Sequence, residues 1–402
     1  MKIRSLETFK ITLPFRFSFG HALASRAESS NLLVKITLDN GVCGFGESVP
    51  RDYVTGETVA QAEDNVLLKY APLVLAQDMD EAPAVLDYLR ECFQNLGLDD
   101  IAQGASWCAL ELAVLDACSR LHGMRFCELI GKVKLDRVRY GGVIPFGRKK
   151  ALTAILWFYK LYGFGTVKLK VGAANLEDDL EKLKLARKIM GEQCIIRVDA
   201  NCAWTLDKAL KAEEAFKPYR VSSYEQPLAA EDWPGLKKLS EAIEEDVVVD
   251  ESLCTLKQAR ELAAEKICDA FNVRVSKAGG IMASQEMINI AHNHGMRVHL
   301  GAQVGESGIL SAAARHLAVC NESLENYEGS ANFFLLKNDI CRENLNAGLG
   351  GYGDLKYGAK KHGLGLSINE SSILALTDSS SENHDLPVNK ANSSISRQGT
   401  SS

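Results

Sequence analysis

The N-terminal part of the chain alternates apolar and polar positions with a period of two, which is typical of β-strands with one buried face. Three such runs occur, KIRSLETFKI, NLLVKITL and VCGFGES. Between the second and third, Asp39-Asn40-Gly41 supplies a glycine that accepts the positive φ of a tight turn. We therefore predict a small sheet of three strands at the N-terminus.

After this sheet, apolar residues recur with the helical period. The clearest example is IAQGASWCALELAVLDACSRLHG, where Ala109, Leu112, Ala113 and Leu115 fall at helical spacing. Gly123 offers a C-terminal stop for this helix. Strands followed by helices predict an α+β domain, which we place at residues 1–130.

From about residue 137 the pattern changes to short apolar strands that alternate with longer amphipathic helices, as in βα units around a parallel sheet. The predicted strands are RVRYGGVI, TVKLKVG, CIIRVDAN, VSSYEQP, DVVVDES, AFNVRVSK, RVHLGAQ and ENYEGS. Eight parallel strands close a barrel. We predict an α/β fold, a modified TIM barrel of the (β/α)7β type at residues 131–345, capped by the N-terminal domain.

An open doubly wound sheet is the structural alternative to the barrel. Such a sheet normally carries a glycine-rich phosphate turn after its first strand, and YGGVIPFG does not supply GxGxxG. Beyond the barrel, the glycine-rich residues 346–373 are expected to pack on the capping domain. Residues 374–402 are dominated by serine, asparagine and charges, which predicts a disordered tail.

Composition excludes several classes of protein. Hydrophobic residues make up 46% and charged residues 24% of the 402 residues, as in ordinary globular proteins. The net charge of −6 and the lack of a dense basic run argue against nucleic acid as a partner. No apolar run approaches the length of a membrane helix, and the 11 scattered cysteines suit buried thiols in a reducing compartment. We expect a cytoplasmic protein without a membrane partner.

Three carboxylates end three successive predicted strands: Asp199 in RVDAN, Glu225 in YEQP and Asp250 in VVDES. One βα unit separates each from the next, so all three should meet at the end of the barrel where barrel active sites lie. Converging carboxylates repel one another unless a cation is present, and Mg²⁺ suits oxygen ligands. The alternative is that each acid caps the following helix. Asn201 and Glu251 follow these ligands closely and are expected to support them or to cap helices.

Lys168 and Lys170 lie two residues apart on the strand before these acids, so both ammonium groups point to one face, the barrel interior. A buried lysine is tolerated beside carboxylates, a metal or an anionic substrate, and neighbouring cations favour its neutral, basic form. The alternative is an edge strand with solvent-facing lysines. Lys277 ends FNVRVSK and precedes Gly279 and Gly280, which would let backbone and substrate approach closely.

In this order, KLK, RVDAN, EQP, VVDES and VSKAGG resemble the enolase superfamily, specifically its muconate-lactonizing subgroup of muconate cycloisomerases and dipeptide epimerases within the mandelate racemase/muconate lactonizing enzyme family. GFGESVPRDYVTGET and ALELAVLDA resemble the capping domain of that family. The resemblance implies that Asp199, Glu225 and Asp250 bind Mg²⁺. It implies that Lys170 and Lys277 are bases on opposite sides of the substrate α-carbon, and that Lys168 holds the carboxylate.

The resemblance implies an isomerase that removes the proton next to a substrate carboxylate to form a metal-stabilised enolate. We expect a racemase or epimerase acting on amino-acid derivatives or dipeptides. Muconate cycloisomerase-type lactonization and o-succinylbenzoate synthase-type elimination are the alternatives within the superfamily. Related dipeptide epimerases usually end the last strand in Asp-x-Asp, which captures the substrate amine. Here the stretch reads Glu328-Gly329-Ser330, which argues against the standard dipeptide.

Three further side chains are candidate substrate contacts: His21 in the first loop, and Gln303 and Glu306 near the seventh strand end, where loop capping is the alternative. His299 lies too early in RVHLGAQ to reach the substrate and is expected in the core. Alternatives from other classes are an inactive metal-binding barrel that serves as a scaffold and an open-sheet dehydrogenase. The expected partner is a small-molecule carboxylate substrate, and we expect a homo-oligomer.

Overall fold

A computed structural model describes residues 1–20, 25–75, 77–99, 103–330, 332–356 and 361–377. Its N-terminal part contains an antiparallel sheet of three strands in the order β1-β2-β3. These strands are β1 (Ile3–Gly20), β2 (Ser25–Leu38) and β3 (Cys43–Ser48). Gly41 turns the chain between β2 and β3 with a φ of 83°, as the sequence predicted. His21 and residues 378–402 of the predicted tail lie outside the described residues. Residues 374–376, which were predicted to begin the disordered tail, are instead the last residues of the helix Glu370–Leu376.

A run of helices follows this sheet in the chain. They are α1 (Asp52–Thr55), α2 (Val59–Asp64), a π-helical segment (Asn65–Tyr70), α3 (Ala71–Val74), α4 (Ala82–Asn95), α5 (Gly104–Leu121) and α6 (Phe126–Ile130). Helix α5 is buried along most of its length and packs on β3. A side chain at Gly46 would place its Cβ 2.0 Å from the carbonyl oxygen of Ala109, so glycine is what allows helix and strand to approach.

The barrel is a sheet of eight strands in which each strand is parallel to its neighbour in the chain. Its strands are β5 (Gly142–Ile144), β6 (Thr166–Lys170), β7 (Ile195–Asp199), β8 (Val221–Glu225), β9 (Asp246–Val249), β10 (Ala270–Val273), β11 (Arg297–Leu300) and β12 (Asn326–Tyr327), preceded in the chain by β4 (Arg137–Arg139). The N–H of Gly141 donates to the carbonyl oxygen of Tyr327 at 2.9 Å, which joins the first strand to the last. The predicted barrel is confirmed.

Helices connect successive barrel strands on the outside. They are α7 (Lys149–Tyr162), α8 (Leu176–Met190), α9 (Leu206–Phe216), a 3-10 turn (Lys217–Tyr219), α10 (Trp233–Ala242), α11 (Leu256–Ala264), α12 (Val275–Ala278), α13 (Ile281–Asn293), α14 (Gly308–Val319) and, after the last barrel strand, α15 (Asn332–Leu335). None of the helices in the described ranges is long and apolar enough to cross a membrane.

The segment predicted as the first barrel strand is in fact two strands. Residues Arg137–Arg139 form an antiparallel pair with β13 (Tyr352–Asp354), and only Gly142–Ile144 belongs to the barrel. The break falls at Tyr140 and Gly141, and a Cβ on Gly142, the first residue of β5, would lie 2.8 Å from the ring of Tyr159. The sequence pattern runs through this break because both halves alternate in the same way.

The C-terminal residues return to the N-terminal part of the chain. A 3-10 turn (Leu349–Gly351) precedes β13, and α16 (Glu370–Leu376) follows. Lys35 on β2 pairs with Glu370 at 2.8 Å, and the N–H of Phe126 donates to the carbonyl oxygen of Gly363 at 2.8 Å. These contacts agree with our proposal that residues 346–373 pack on an N-terminal capping domain at residues 1–130.

Candidate active site

The three candidate metal ligands lie on adjacent strands at the carboxyl end of the barrel. Asp199 ends β7, Glu225 ends β8, and Asp250 directly follows β9. Asp199 is in register with Glu225, and all three side chains are buried. The sequence placed each acid at the end of a strand, and the barrel brings these three ends together.

Both lysines of β6 point into the same buried region. Lys170 is in register with Asp199; its Nζ donates to Asp199 Oδ2 at 2.6 Å and to Asn201 Oδ1 at 2.8 Å. The Nζ of Lys168 donates to Glu225 Oε1 at 2.8 Å and to Glu328 Oε2 at 2.6 Å. Because both lysines are buried and paired with carboxylates, the solvent-facing edge strand is excluded.

Lys277 does not end a strand, contrary to the sequence prediction. Strand β10 stops at Val273, and Lys277 lies in the helical turn α12. Its Nζ donates to Asp250 Oδ1 at 2.8 Å and to the carbonyl oxygen of Asn272 at 3.2 Å. The sequence FNVRVSK keeps alternating beyond the strand, so the pattern does not reveal where the helical turn begins.

The glycines after Lys277 serve a different purpose from the one expected. Gly280 has a φ of 104°, and a Cβ there would lie 2.0 Å from Glu111 Oε2. A Cβ on Gly279 would lie 2.9 Å from the ring of Phe93. Phe93 and Glu111 belong to α4 and α5. At these glycines, therefore, it is the N-terminal helices that approach the barrel closely, and not a substrate.

The two candidate bases lie on opposite sides of the barrel. Lys170 ends β6, and Lys277 follows β10, four strands farther along a closed barrel of eight. The strands between them, β7, β8 and β9, carry the three candidate metal ligands. A substrate beside these carboxylates would thus lie between two lysines.

Arginines complete the charge balance of this region. The described cluster contains five carboxylates and five cations: Asp199, Glu225, Asp250, Glu251 and Glu328, with Lys168, Lys170, Arg197, Arg274 and Lys277. Glu251 accepts from Asn201, and the other four carboxylates form ion pairs with the cations. The sequence analysis did not single out the two arginines or assign a role to Glu328. A signal was present, since Arg197 and Asp199 alternate on β7 as Lys168 and Lys170 do on β6.

Burial and neighbouring charges shift the titration of this cluster. Burial opposes ionisation of Asp199, but Lys170 and Lys168 hold its pKa well below the usual value. For Glu225, burial together with the charges of Asp199 and Glu328 raises the pKa to about 8. Burial works against the charge of Lys168, yet Glu225 and Glu328 raise its pKa above the ordinary value. The lysine beside two carboxylates therefore stays charged.

The donor chemistry of the site fits a hard divalent cation. Among the described residues no three histidine, cysteine or acidic side chains are arranged as ready metal ligands, since Asp199 and Asp250 are turned toward lysines. Three buried carboxylates on adjacent strands are nevertheless the oxygen donors that Mg²⁺ accepts. Glu251 Oε2, next to Asp250, is also a buried acceptor without a hydrogen-bond partner.

Asn201 connects one candidate base to Glu251. It accepts from Lys170, and its Nδ2 donates to Glu251 Oε1 at 2.9 Å. Its backbone has a φ of 43°, and Gln226 after β8 has a φ of 36°. Strained backbone of this kind often marks functional sites. Burial together with the charge of Asp250 raises the pKa of Glu251 to about 7.

A cavity of about 520 Å³ opens at this end of the barrel and includes Lys168, Lys170, Gln303 and Glu306 in its lining. Glu306 accepts from the N–H of Gln303 at 2.6 Å, which is the loop-capping arrangement. Gln303 Oε1 is buried without a hydrogen-bond partner, so it remains a candidate substrate contact. His299 is buried and receives a hydrogen bond from Arg197 at 2.8 Å, as expected for a core histidine.

Comparisons with known proteins agree with this architecture. Residues 154–372 match the family model described as "Enolase C-terminal domain-like". The L-Ala-D/L-Glu epimerase of Bacillus subtilis is 27% identical over 368 residues, which cover 91% of this chain and 97% of that protein. The resemblance to the enolase superfamily is thus confirmed, and so is the expected class, isomerase.

Solved structures show the same fold. The N-succinyl Arg/Lys racemase from Bacillus cereus superposes with a TM-score of 0.85 at 23% identity, covering 96% of this chain and all of that one. The dipeptide epimerase from Enterococcus faecalis, complexed with Mg and the dipeptide L-Leu-L-Tyr, gives a TM-score of 0.82 at 24% identity, covering 91% of this chain and all of that one.

Proposed function

The chain belongs to the enolase C-terminal domain-like family, and we propose on that premise that it is a Mg²⁺-dependent racemase or epimerase of carboxylates derived from amino acids. The observation that carries this proposal is the placement of Lys170 and Lys277. Both are buried. Lys170, at the end of β6, lines the cavity, and Lys277, in the helical turn after β10, lies on the opposite side of the barrel. Inversion at an α-carbon needs a proton acceptor on one face and a proton donor on the other.

In this mechanism Asp199, Glu225 and Asp250 would hold the metal. When bound, Mg²⁺ supplies positive charge beside the substrate carboxylate, where negative charge develops as the α-proton leaves. Lys168, kept charged by Glu225 and Glu328, adds a second positive charge at that point. Two fixed cations beside one carboxylate stabilise the transition state more than the ground state.

The two bases act in turn. The neutral form of Lys170 removes the α-proton from one face, and Lys277 returns a proton to the opposite face, which inverts the carbon. Asn201 accepts a hydrogen bond from Lys170, and the carbonyl oxygen of Asn272 accepts one from Lys277, so both ammonium groups are held in position. For the other enantiomer the roles exchange.

The test is solvent exchange. The protein is incubated with Mg²⁺ in D₂O and with N-acylated amino acids, dipeptides, hydroxy acids and muconate, and α-deuteration is measured by mass spectrometry. Deuterium that enters with inversion supports the proposal. Lactone formation from muconate without α-deuteration of the amino-acid derivatives would replace it with cycloisomerisation, and a protein that binds Mg²⁺ without any reaction would be the inactive scaffold.

A further inference from the structure

One side of the cavity is aromatic. Helix α7 contributes Phe158 and Tyr159 to the lining, and Phe164 and Phe334 extend it. Phe158 lies 5.4 Å from Phe334 between ring centroids, and Tyr159 lies 4.8 Å from Phe164. These four rings, which we call the aromatic wall, form one continuous apolar surface inside the cavity.

The aromatic wall lies at the first and last barrel strands. Its helix follows β5, and β5 is joined to β12 where the barrel closes. Glu328 and Ser330, directly after β12, also line the cavity. By the resemblance to dipeptide epimerases described above, they would occupy the positions of the two aspartates of the Asp-x-Asp that captures the substrate amine.

Neither position offers an unpaired carboxylate. Both oxygens of Glu328 face cations, since Oε2 accepts from Lys168 at 2.6 Å and Oε1 lies 3.0 Å from Arg197. Ser330 carries no charge, and its hydroxyl contacts the carbonyl oxygen of Leu345. A substrate ammonium placed here would compete with two buried cations for one carboxylate.

The other described acids of the cavity do not replace this carboxylate. Burial raises the pKa of Glu306 to about 8, and its Oε1 already accepts from the N–H of Gln303. Glu251 keeps its Oε2 without a hydrogen-bond partner, but it lies after β9, four strands away from β5 and the aromatic wall. An anionic group at Arg51 would have to compete with Ser29 Oγ and the carbonyl oxygens of Ser30 and Pro50, which already accept from this side chain.

Resting on the proposed function, we infer that the substrates are amino acids whose nitrogen carries an uncharged, apolar acyl group, which packs on the aromatic wall. An amide nitrogen brings no charge to Glu328, so no buried ion pair is disturbed. An apolar acyl group gains by leaving water, whereas an ammonium or a second carboxylate packed on the aromatic wall would lose hydration and find no partner among the four rings. The volume of about 520 Å³ is in the range of pockets for such small molecules.

The experiment compares four derivatives of one amino acid, L-leucine: N-benzoyl, N-acetyl, N-succinyl, and the dipeptide L-alanyl-L-leucine. The protein with Mg²⁺ is assayed for α-deuteration in D₂O, and the binding of each compound is measured by calorimetry. We expect N-benzoyl-L-leucine to give the highest kcat/KM and the tightest binding, each at least about tenfold above the dipeptide and the succinyl compound.

Phe158→Ala and Phe334→Ala test the aromatic wall directly. Each should lower kcat/KM for N-benzoyl-L-leucine by about tenfold and change that for N-acetyl-L-leucine by less than about threefold. Phe334 is 42% exposed, so its replacement leaves the core intact. Trp157→Ala is the matched control, because Trp157 is on the same helix, is 49% exposed and does not line the cavity.

Binding, measured by calorimetry, tests this inference, and α-deuteration tests the proposed function, so the two can fail separately. Preferred binding of the benzoyl compound without deuteration of any compound would support the inference and overturn the racemase. Faster deuteration of the dipeptide or the succinyl compound would overturn the inference and support the racemase. The inference also fails if none of the four compounds binds, or if the two phenylalanine variants behave like Trp157→Ala.

Discussion

Two groups of acids are equally buried but have different partners. One group lies at the carboxyl end of the barrel, which we call the mouth, and the other lies between the N-terminal elements and the barrel helices. At the mouth, lysines lower the pKa of Asp199, and Arg274 with Lys277 lowers that of Asp250, despite burial, whereas the pKa of Glu225 is raised. Glu47 on β3 and Glu111 on α5 instead accept hydrogen bonds at the starts of α14 and α13. Burial raises their pKa values to about 7 and about 8.

This difference in partners separates acids that can take part in the reaction from acids that stabilise the fold. A lysine that pairs with a carboxylate can exchange that partner for a metal-bound substrate, so the ion pairs at the mouth are available for chemistry. A carboxylate that caps a helix cannot exchange its partners in this way. The backbone N–H groups that donate to it would be left without acceptors. Replacing the mouth residues should therefore change rates, whereas replacing the capping acids should change stability.

The largest effect is expected from the two bases. In Lys170→Met and in Lys277→Met, racemisation should fall by about 10²–10⁴-fold, because each direction requires both lysines. The two variants should differ in exchange: each should retain α-deuteration of one enantiomer, and the retained enantiomer should be opposite in the two. Mass spectrometry of each enantiomer in D₂O measures this. Loss of the same enantiomer in both variants would contradict two bases on opposite faces.

The proposed metal ligands should give a stability effect that depends on Mg²⁺. At a concentration one hundred times the dissociation constant, Mg²⁺ should stabilise the protein by about 2.7 kcal/mol, and a chelator should remove this gain. Urea unfolding with and without Mg²⁺ measures it. Glu225→Gln should lose the gain, and Glu328→Gln, the neighbouring buried acid that pairs with Lys168, should keep it. An equal gain in both variants would assign the metal to other groups.

The capping acids should affect stability without metal. Glu47 accepts from the N–H of Ser307 at 2.8 Å, from its hydroxyl at 2.6 Å and from the N–H of Leu310 at 3.1 Å. Glu47→Ala leaves these donors buried and unpaired, so the free energy of unfolding should fall by about 1–3 kcal/mol. Asp87→Ala, which breaks an exposed pair with Arg90, is the control and should cost about 0–1 kcal/mol. Equal losses would mean that the cap does not stabilise α14.

The sequence predicted the mouth better than it predicted the regions around it. Asp199, Glu225 and Lys170 lie at strand ends, where the change from an apolar run to a charged residue is visible in the chain. The aromatic wall was not predicted, because the apolar residues of α7 have the pattern of any helix that packs on a barrel. Only the contact with Phe334, far away in the chain, shows which of them face the cavity.

The domain contacts were missed for a related reason. Glu111 lies within a helix whose apolar spacing was recognised, but a single acid on such a helix gives no sign that it caps α13, far along the chain. The same contact explains Gly280, which the sequence suggested for substrate approach. Local patterns reveal periodicity and strand ends, whereas a partner distant in sequence is fixed only when the barrel and the N-terminal helices pack together.

A pH-dependent effect is expected for Glu111→Gln, which keeps the shape and one acceptor oxygen of the cap. Burial raises the pKa of Glu111 from 4.5 to about 8, although the N–H groups of Ile281 and Met282 oppose the shift. Between these two values the folded protein keeps the proton and the unfolded chain does not. The group thus stabilises the fold fully below pH 4.5, and this contribution is lost as the pH rises to about 8.

Glutamine is neutral at every pH, so the variant should lose less stability than the wild type as the pH rises. The slopes should differ by at most about 1.4 kcal/mol per pH unit between pH 5 and pH 7.5. Urea unfolding at several pH values measures both slopes, and taking the difference cancels the other titrating groups that both proteins share. Asp87→Asn, at an exposed site, should follow the wild type. Parallel curves for wild type and Glu111→Gln would show that Glu111 is ionised in the folded protein, and the capping acids would then resemble the lysine-paired acids of the mouth in charge.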